Sequence, residues 1–136
     1  MLALLGTDAR ISVATLARRL KVARSTIQAR LERLETTGVI AGYTVKLGEA
    51  ARQGRIRASV LLSIEPRAQA NILTRLRAIP EVEKVHTTSG RVDFLLQVSA
   101  TSTSVLDTIL DQIGEMTGVK GSESLIHLST KIDRTA

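Results

Sequence analysis

The second part of the chain contains an internal repeat, and this repeat restricts the possible folds more than any other feature of the sequence. The segment VLLSI at residues 60–64 returns as FLLQV at residues 94–98, an offset of 34 residues. The helically spaced apolar residues that follow return at the same offset, with Ile72, Leu76 and Ile79 corresponding to Leu106, Leu110 and Ile113. Each copy therefore predicts a strand, a helix and a second strand. Two copies predict an α+β domain with the βαββαβ order of a ferredoxin-like fold.

The sheet of such a domain has both helices on one face, so its other face needs a separate cover. The first strand alternates in polarity, with Ala58, Val60, Leu62 and Ile64 on one side. The sequence leaves no further segment that could form a third layer. We therefore expect a second copy of the chain to bury the uncovered face, which predicts a homodimer.

Positive charge is concentrated in the first part of the chain. Residues 1–57 contain eleven Lys/Arg and four Asp/Glu, a balance of +7, whereas residues 58–136 contain eight and nine, a balance of −1. This difference predicts two functional parts. A basic segment is typical of proteins that bind a polyanion, either nucleic acid or anionic lipid. The alternative is that the positive charge of this segment serves only solubility.

The apolar spacing in the basic part predicts two short helices joined by a tight turn. Ser12 is a good N-cap for the first helix, whose apolar stripe consists of Val13, Leu16, Ala17 and Leu20. After a break at Lys21–Val22, the stripe resumes with Ala23, Ile27, Leu31 and Leu34. Gly38 follows as the expected C′ residue. This pattern predicts a helix-turn-helix.

The second of these helices has the composition expected of a DNA-reading helix. If Ile27 faces the core, the opposite face carries Ser25, Gln28, Ala29 and Glu32. Gln and Ser can contact base edges, and arginines neutralise phosphates or read guanine. Glu32 has no cation three or four residues away, so it would repel phosphate unless it accepts a hydrogen bond from a cytosine amino group. The alternative is an ordinary amphipathic helix with a solvated face. We predict a DNA-binding surface formed by Arg24, Ser25, Thr26, Gln28, Ala29, Arg30 and Arg33.

The segment ARISVATLARRLKVARSTIQARLERLETTGVIAGYTVKLG at residues 9–48 resembles the N-terminal domain of the Lrp/AsnC family, the leucine-responsive regulatory protein and asparagine regulator type. The resemblance implies a winged-type helix-turn-helix, and the alternating Tyr43, Val45 and Leu47 suggest a short strand after it. Members of the family usually have Ser where this chain has Ala23, and such motifs often have Gly where it has Lys21. Each departure would cost about 1 kcal/mol. The first helix is also short, so either the true start lies upstream of Met1 or the domain is less stable than usual.

The segments IPEVEKVHTTSGRVDFLLQV at residues 79–98 and MTGVKGSESLIHLS at residues 116–129 are similar to the effector-binding half of the same family. The resemblance implies a dimer through the sheet faces, often assembled into tetramers or octamers, and a small effector, commonly an amino acid, bound beside a Gly-x-x-Asp loop. The effector-binding residues it implies are Ser89, Gly90, Arg91, Asp93 and Ser124. The alternative is that Gly90 and Asp93 only form a tight hairpin, stabilised by an Asx-type hydrogen bond.

These segments predict a helix-turn-helix domain at residues 1–45, a linker at 46–57 and an effector-binding and oligomerisation domain at 58–136. The absence of Cys excludes disulfides and cysteine nucleophiles. No apolar run reaches the roughly 18 residues of a membrane span, so we expect no membrane partner and a cytoplasmic protein. His86 and His127 are not spaced as a local metal pair, and no nucleophile–base motif is present. We expect no catalytic residue, metal or cofactor.

The sequence therefore predicts a sequence-specific transcriptional regulator that binds double-stranded DNA and responds to a small effector, and that is not an enzyme. Two alternatives remain. The same architecture is similar to subunits of haem-precursor decarboxylases, where His86, His127 and Arg91 would be the available polar groups. The second alternative is a ligand sensor that has lost DNA binding, which the short first helix and Ala23 suggest.

Overall fold

The computed structural model describes residues 1–134, with three helices in the first part of the chain and a four-stranded sheet with helices in the second. The chain forms two compact units that divide between Leu47 and Gly48, and the second unit ends at Asp133. This α+β architecture confirms the predicted fold class. The expected domain limits at 45, 57 and 136 stay predictions, and residues 135 and 136 of the second domain lie outside the described residues.

The first unit contains α1 (Leu2–Thr7), α2 (Val13–Leu20) and α3 (Arg24–Thr36). As predicted, Ser12 caps α2, because its Oγ accepts a hydrogen bond from the Thr15 backbone N–H at 3.1 Å. Lys21 joins the helices in the left-handed conformation, with φ 56° and ψ 46°. The turn thus places a lysine where the backbone favours glycine. A small core forms between the helices, in which Leu16, Ala17 and Ile27 are buried.

The N-termini of α2 and α3 have the same backbone geometry but different caps. Ser12 and Ala23 both have φ −71° and ψ 153°, yet Ala23 has no side chain that can accept a hydrogen bond. The C-terminus of α3 follows the prediction, since Gly38 adopts φ +78° directly after the C-cap residue Thr37. The backbone N–H of Ile40 then bonds to the Leu34 carbonyl at 2.9 Å.

The strand predicted at residues 43–47 from the alternation of apolar residues is not formed, so this prediction is wrong. Residues 41–48 have no regular secondary structure. A strand needs a hydrogen-bonding partner, and the described residues of this unit contain no other strand. Tyr43, Val45 and Leu47 are accordingly exposed.

The second unit begins with one turn of helix, α4 (Glu49–Arg52), inside the segment expected to be a linker. The strand β1 (Ile56–Ile64) follows and starts two residues before the expected domain start at 58. The remaining elements are α5 (Gln69–Arg77), β2 (Val82–Thr87), β3 (Phe94–Ala100), α6 (Thr103–Gly114) and β4 (Val119–Ile126), with a short 3₁₀ turn at Pro66–Ala68 before α5. Among residues 1–134, no helix has the length and apolarity to cross a membrane.

The strands confirm the predicted βαββαβ order. They are antiparallel in the spatial order β2-β3-β1-β4, and each repeat contributes one central and one edge strand. The predicted inner face of β1 is buried, with Ala58, Val60, Leu62 and Ile64 at most 4% exposed. The helix residues of the repeat pack on that face, including Ile72, Leu76, Leu106 and Ile113.

Strand register defines the other side of the sheet, which we call the open face. Leu61 lies opposite Leu95 on β3 and Glu123 on β4, and Ser59 lies opposite Leu125. These residues alternate with the buried ones, so they point away from α5 and α6. Leu125 is 51% exposed, and neither α5 nor α6 lies on the open face.

Candidate nucleic-acid interface and effector loop

The helix α3 is held by one buried face and presents the opposite face to solvent. Ile27 is fully buried against α2. The turn of the helix then exposes Ser25, Gln28 and Ala29 on the far side. Of the seven residues predicted to bind DNA, six are exposed and Thr26 is half-buried. The structure brings them together along one helix.

The arginines of this helix have no competing acidic partners. Within residues 1–134, the side chains of Arg24, Arg30 and Arg33 make no ion pair and no side-chain hydrogen bond. Their guanidinium groups are exposed, so all their donors are available to an incoming anion. The surface of α3 can thus combine phosphate neutralisation with amide and hydroxyl groups for base edges.

Sequence reasoning missed one contact of this unit. The Tyr43 hydroxyl donates a hydrogen bond to Oε1 of Glu35 at 2.8 Å. This bond stabilises the neutral phenol and, together with slight desolvation and repulsion from the nearby carboxylate, raises the pKa of Tyr43 above 10.0. Tyr43 is eight residues beyond Glu35 and lies in a coil, so no helical or strand periodicity could have predicted this hydrogen bond.

The predicted Gly-x-x-Asp loop joins β2 to β3. Gly90 has φ +127°, a conformation that favours glycine, as expected for this loop. The hairpin is closed by the Thr88 backbone N–H, which donates to the Asp93 carbonyl at 3.0 Å. The Thr88 hydroxyl also donates to the carbonyl of Val92 at 2.7 Å.

The Asp93 carboxylate makes a long-range bond rather than an Asx-type bond within the hairpin. Its Oδ2 accepts from the backbone N–H of Ile64 at 2.9 Å. The register of β1 against β4 shifts at Ser63 and Ile64, so this N–H lies at an irregularity of the sheet. Asp93 therefore links the loop to the end of β1, while its side chain keeps oxygen lone pairs that a ligand could use.

Arg91 and Ser124 have different surroundings. Nη1 of Arg91 donates to Oε2 of Glu123 at 3.1 Å, which joins the loop to β4. Ser124 is the neighbour of Glu123 but lies opposite Val60, on the helix face of the sheet. Among residues 1–134, no side-chain hydrogen bond or ion pair joins Ser124 to the loop, whereas Ser89, Gly90, Arg91 and Asp93 lie within it. Sequence reasoning missed Glu123, because it lies 32 residues beyond its partner.

The two histidines lie apart from this loop's hydrogen bonds. Nε2 of His127 is 2.8 Å from the Ser59 hydroxyl oxygen, and His86 is exposed on β2. In the part of the chain that the structure describes, no group of three His, Cys, Asp or Glu side chains could hold a metal ion.

Family comparisons agree with both halves of this geometry. The model of the AsnC-type helix-turn-helix domain matches residues 1–35, and the model of the Lrp/AsnC ligand binding domain matches residues 57–136. The chain belongs to the Lrp/AsnC family. The second match covers β1 to β4 and includes the Gly-x-x-Asp loop.

Curated relatives of this Lrp/AsnC protein are named as regulators. The HTH-type transcriptional regulator LysM of Saccharolobus solfataricus is 32% identical over 131 residues, which cover 96% of this chain and 90% of LysM. The HTH-type transcriptional regulator FL11 of Pyrococcus furiosus is 26% identical over 132 residues, 97% of this chain and 87% of that protein. The prediction of a DNA-binding transcriptional regulator is confirmed by these matches.

Solved structures of the family agree in fold. Escherichia coli AsnC superimposes with a TM-score of 0.89 at 23% identity and covers 99% of this chain and 92% of its own. The feast or famine regulatory protein of Mycobacterium tuberculosis, complexed with L-methionine, has a TM-score of 0.85 at 28% identity, with 99% and 92% covered.

Proposed function

We propose that this Lrp/AsnC protein regulates transcription by inserting α3 into the major groove of specific DNA sites. The observation that carries the proposal is the outer face of α3, where exposed Ser25, Gln28 and Ala29 are flanked by three arginines that have no acidic partner among residues 1–134. Gln can bond an adenine edge through two hydrogen bonds, and arginines supply the phosphate contacts. A regulator of this kind works in the compartment that contains the DNA, which in a prokaryote is the cytoplasm.

Mobility-shift and selection experiments test this interface. Arg24→Ala and Arg33→Ala should weaken binding to all sequences and reduce the dependence of log K on log salt by about 0.9 for each lost phosphate contact. Gln28→Ala should instead relax the sequence preference. Arg77→Ala is the matched control, because Arg77 is an exposed arginine on α5 of the other unit. Binding that ignores both salt and sequence would refute the proposal.

The effector is proposed to be an amino acid bound at the Gly-x-x-Asp loop. The M. tuberculosis relative was crystallised with L-methionine, and the loop offers groups of both signs for a zwitterion. Asp93 can accept from an α-ammonium, while Ser89 and the backbone around Gly90 can donate to a carboxylate. Arg91 could also bind the carboxylate after leaving Glu123. Ser124 is kept as a further proposed contact.

A thermal-shift screen over the twenty amino acids tests the effector. A ligand that binds the folded chain raises its melting temperature, and a true effector must also bind two states of the protein unequally. We expect one amino acid or a few similar ones to raise the melting temperature and to change DNA affinity. A melting shift without any DNA binding would favour the sensor alternative.

The open face is proposed to form a homodimer, and dimers are proposed to assemble into tetramers or octamers. Leu61, Leu95 and Leu125 provide apolar surface on that face, while α5 and α6 pack on the opposite face. Light scattering during gel filtration should give at least twice the 14.7 kDa of one chain. Leu125→Glu should lower that mass, whereas Val105→Glu, an exposed change on α6, should leave it unchanged. A monomeric wild type would refute this proposal.

A regulatory rather than catalytic role is proposed, since the matched relatives are named transcriptional regulators. The decarboxylase-like alternative predicts that a tetrapyrrole binds. An absorbance titration with a haem precursor distinguishes the two, because binding that depends on His86 or His127 would support the enzyme and contradict our proposal.

A further inference from the structure

The outer face of α3 contains one acidic side chain whose position is not explained by the fold. Glu32 is exposed, and its carboxylate makes no ion pair or hydrogen bond within residues 1–134. The other acid of the helix, Glu35, accepts a hydrogen bond from the Tyr43 hydroxyl. The two carboxylates lie three residues apart on the same helix, yet in the described part of the chain Glu35 has a hydrogen-bond partner and Glu32 has none.

The spacing of α3 places Glu32 with the side chains that are proposed to read DNA. It lies one turn beyond Gln28, on the same face, and it faces away from Ile27. Ser25 and Glu32 are separated by seven residues, or about 10 Å along a helix axis. Glu32 is also only four residues, or about 6 Å along the axis, beyond Gln28. A helix whose Ser25 and Gln28 contact base edges therefore carries Glu32 on the side that faces the groove.

A carboxylate in the groove is repelled by the phosphates, so it lowers affinity for every sequence that offers it no donor. The major groove exposes only two kinds of donor, the N4 amino group of cytosine and the N6 amino group of adenine. Adenine carries the N7 acceptor next to its amino group, and this lone pair repels a carboxylate. Cytosine has no such acceptor on its exposed edge. The favoured partner is therefore cytosine.

We infer that Glu32 is a specificity-determining residue that accepts a hydrogen bond from N4 of a cytosine in each half-site. This inference rests on the proposed function, since it assumes that α3 enters the major groove. It assigns a base preference to a residue outside the seven predicted to bind DNA. The preference for C·G over other pairs at that position should be about 5-fold to 150-fold, the usual effect of one mismatched base pair.

Selection of bound duplexes from random DNA by the full-length wild type, Glu32→Gln and Glu35→Gln tests the inference. Both variants remove one negative charge from the same helix. Gln at position 35 still offers an oxygen to Tyr43, so Glu35→Gln is the matched control. Thermal unfolding of all three proteins verifies that each is folded.

We expect the wild type to select a C·G pair at one position of each half-site. Glu32→Gln should lose that preference and shift toward A·T, because Gln bonds to adenine N6 and N7. Glu35→Gln should select the same sites as the wild type while binding all duplexes somewhat more tightly. The affinities of the wild type and of Glu32→Gln should then be measured for two duplexes, the selected site and a copy changed from C·G to A·T at that position.

The inference is overturned if Glu32→Gln and the wild type select the same sites, or if Glu35→Gln changes the preference equally. A wild type that binds DNA without any sequence preference would instead refute the proposed function itself. The two failures are therefore distinguishable in one experiment.

Discussion

Replacing Asp93 by Asn or by Ala separates the structural role of this residue from its proposed role in effector binding. One carboxylate oxygen accepts the Ile64 backbone N–H at 2.9 Å. The backbone bonds of Asp93, to the Leu62 carbonyl at 2.8 Å and from the Thr88 N–H at 3.0 Å, do not involve the side chain. Asn keeps a neutral oxygen for the Ile64 N–H, whereas Ala removes it.

The sizes of the two effects follow from the kinds of hydrogen bond. A bond to a charged acceptor contributes about 1.5–3 kcal/mol, and a neutral one contributes about 0.5–1.5 kcal/mol. Because Ile64 is only 4% exposed, water has little access to its N–H after the side chain is removed. We therefore expect Asp93→Ala to lower the free energy of unfolding by about 1.5–3 kcal/mol and Asp93→Asn by about 1 kcal/mol.

Denaturant unfolding followed by circular dichroism measures these losses, and calorimetry with the amino acid found in the thermal-shift screen measures binding. Both variants should lose affinity for that amino acid, since neither presents a negative charge to an α-ammonium. Equal destabilisation by Asn and Ala would refute the assigned hydrogen bond. Full effector affinity in Asp93→Asn would refute the carboxylate as a ligand group and leave Asp93 with a structural role alone.

Three further predictions concern the fold of each unit. Ala23→Ser should raise the free energy of unfolding by about 1 kcal/mol, because Ala23 has the same backbone geometry as Ser12, whose side chain caps α2. Thermal or denaturant unfolding measures this gain, and an unchanged stability would contradict the cap geometry. Gly118→Ala should destabilise by about 2–5 kcal/mol, since a Cβ there would lie 2.2 Å from that of Ala68 at φ +95°. Gly54→Ala is the control, because Gly54 has φ +85° but open space around an added Cβ, so it should cost only about 1–2 kcal/mol. Equal losses of stability for Gly118→Ala and Gly54→Ala in a denaturant titration would exclude the steric contact with Ala68. Tyr43 is the only tyrosine in a chain without tryptophan, so its ultraviolet absorbance should titrate above pH 10.0 in the wild type. The neutral, hydrogen-bonded phenol stabilises the fold below the pKa of the unfolded chain, and this contribution is lost as the pH rises through the higher folded pKa. Glu35→Ala removes both the acceptor oxygen and the charge, so it should return the titration toward the ordinary value, and an unchanged titration would contradict the assigned bond.

Most of the fold could be predicted from the sequence, because its elements have local signals. The 34-residue repeat indicated the order of strands and helices, and the apolar stripes indicated which residues are buried. The outer face of α3 could be predicted for the same reason, since helical periodicity fixes which residues lie opposite Ile27. The strand expected at residues 43–47 is the exception, because alternation of polar and apolar residues does not provide the partner strand that backbone hydrogen bonds require.

The contacts of the effector loop depended on the tertiary structure. Gly90 and Asp93 are recognisable in the sequence, but Asp93 bonds to Ile64 and Arg91 pairs with Glu123, at separations of 29 and 32 residues. Only the order of the strands in the sheet brings these groups together. Sequence determined the periodic elements and the charge of the chain, because both are properties of neighbouring residues. The partner of each polar side chain was decided by the packing of the sheet, because side-chain hydrogen bonds extend only about 3 Å and distant residues meet only after folding.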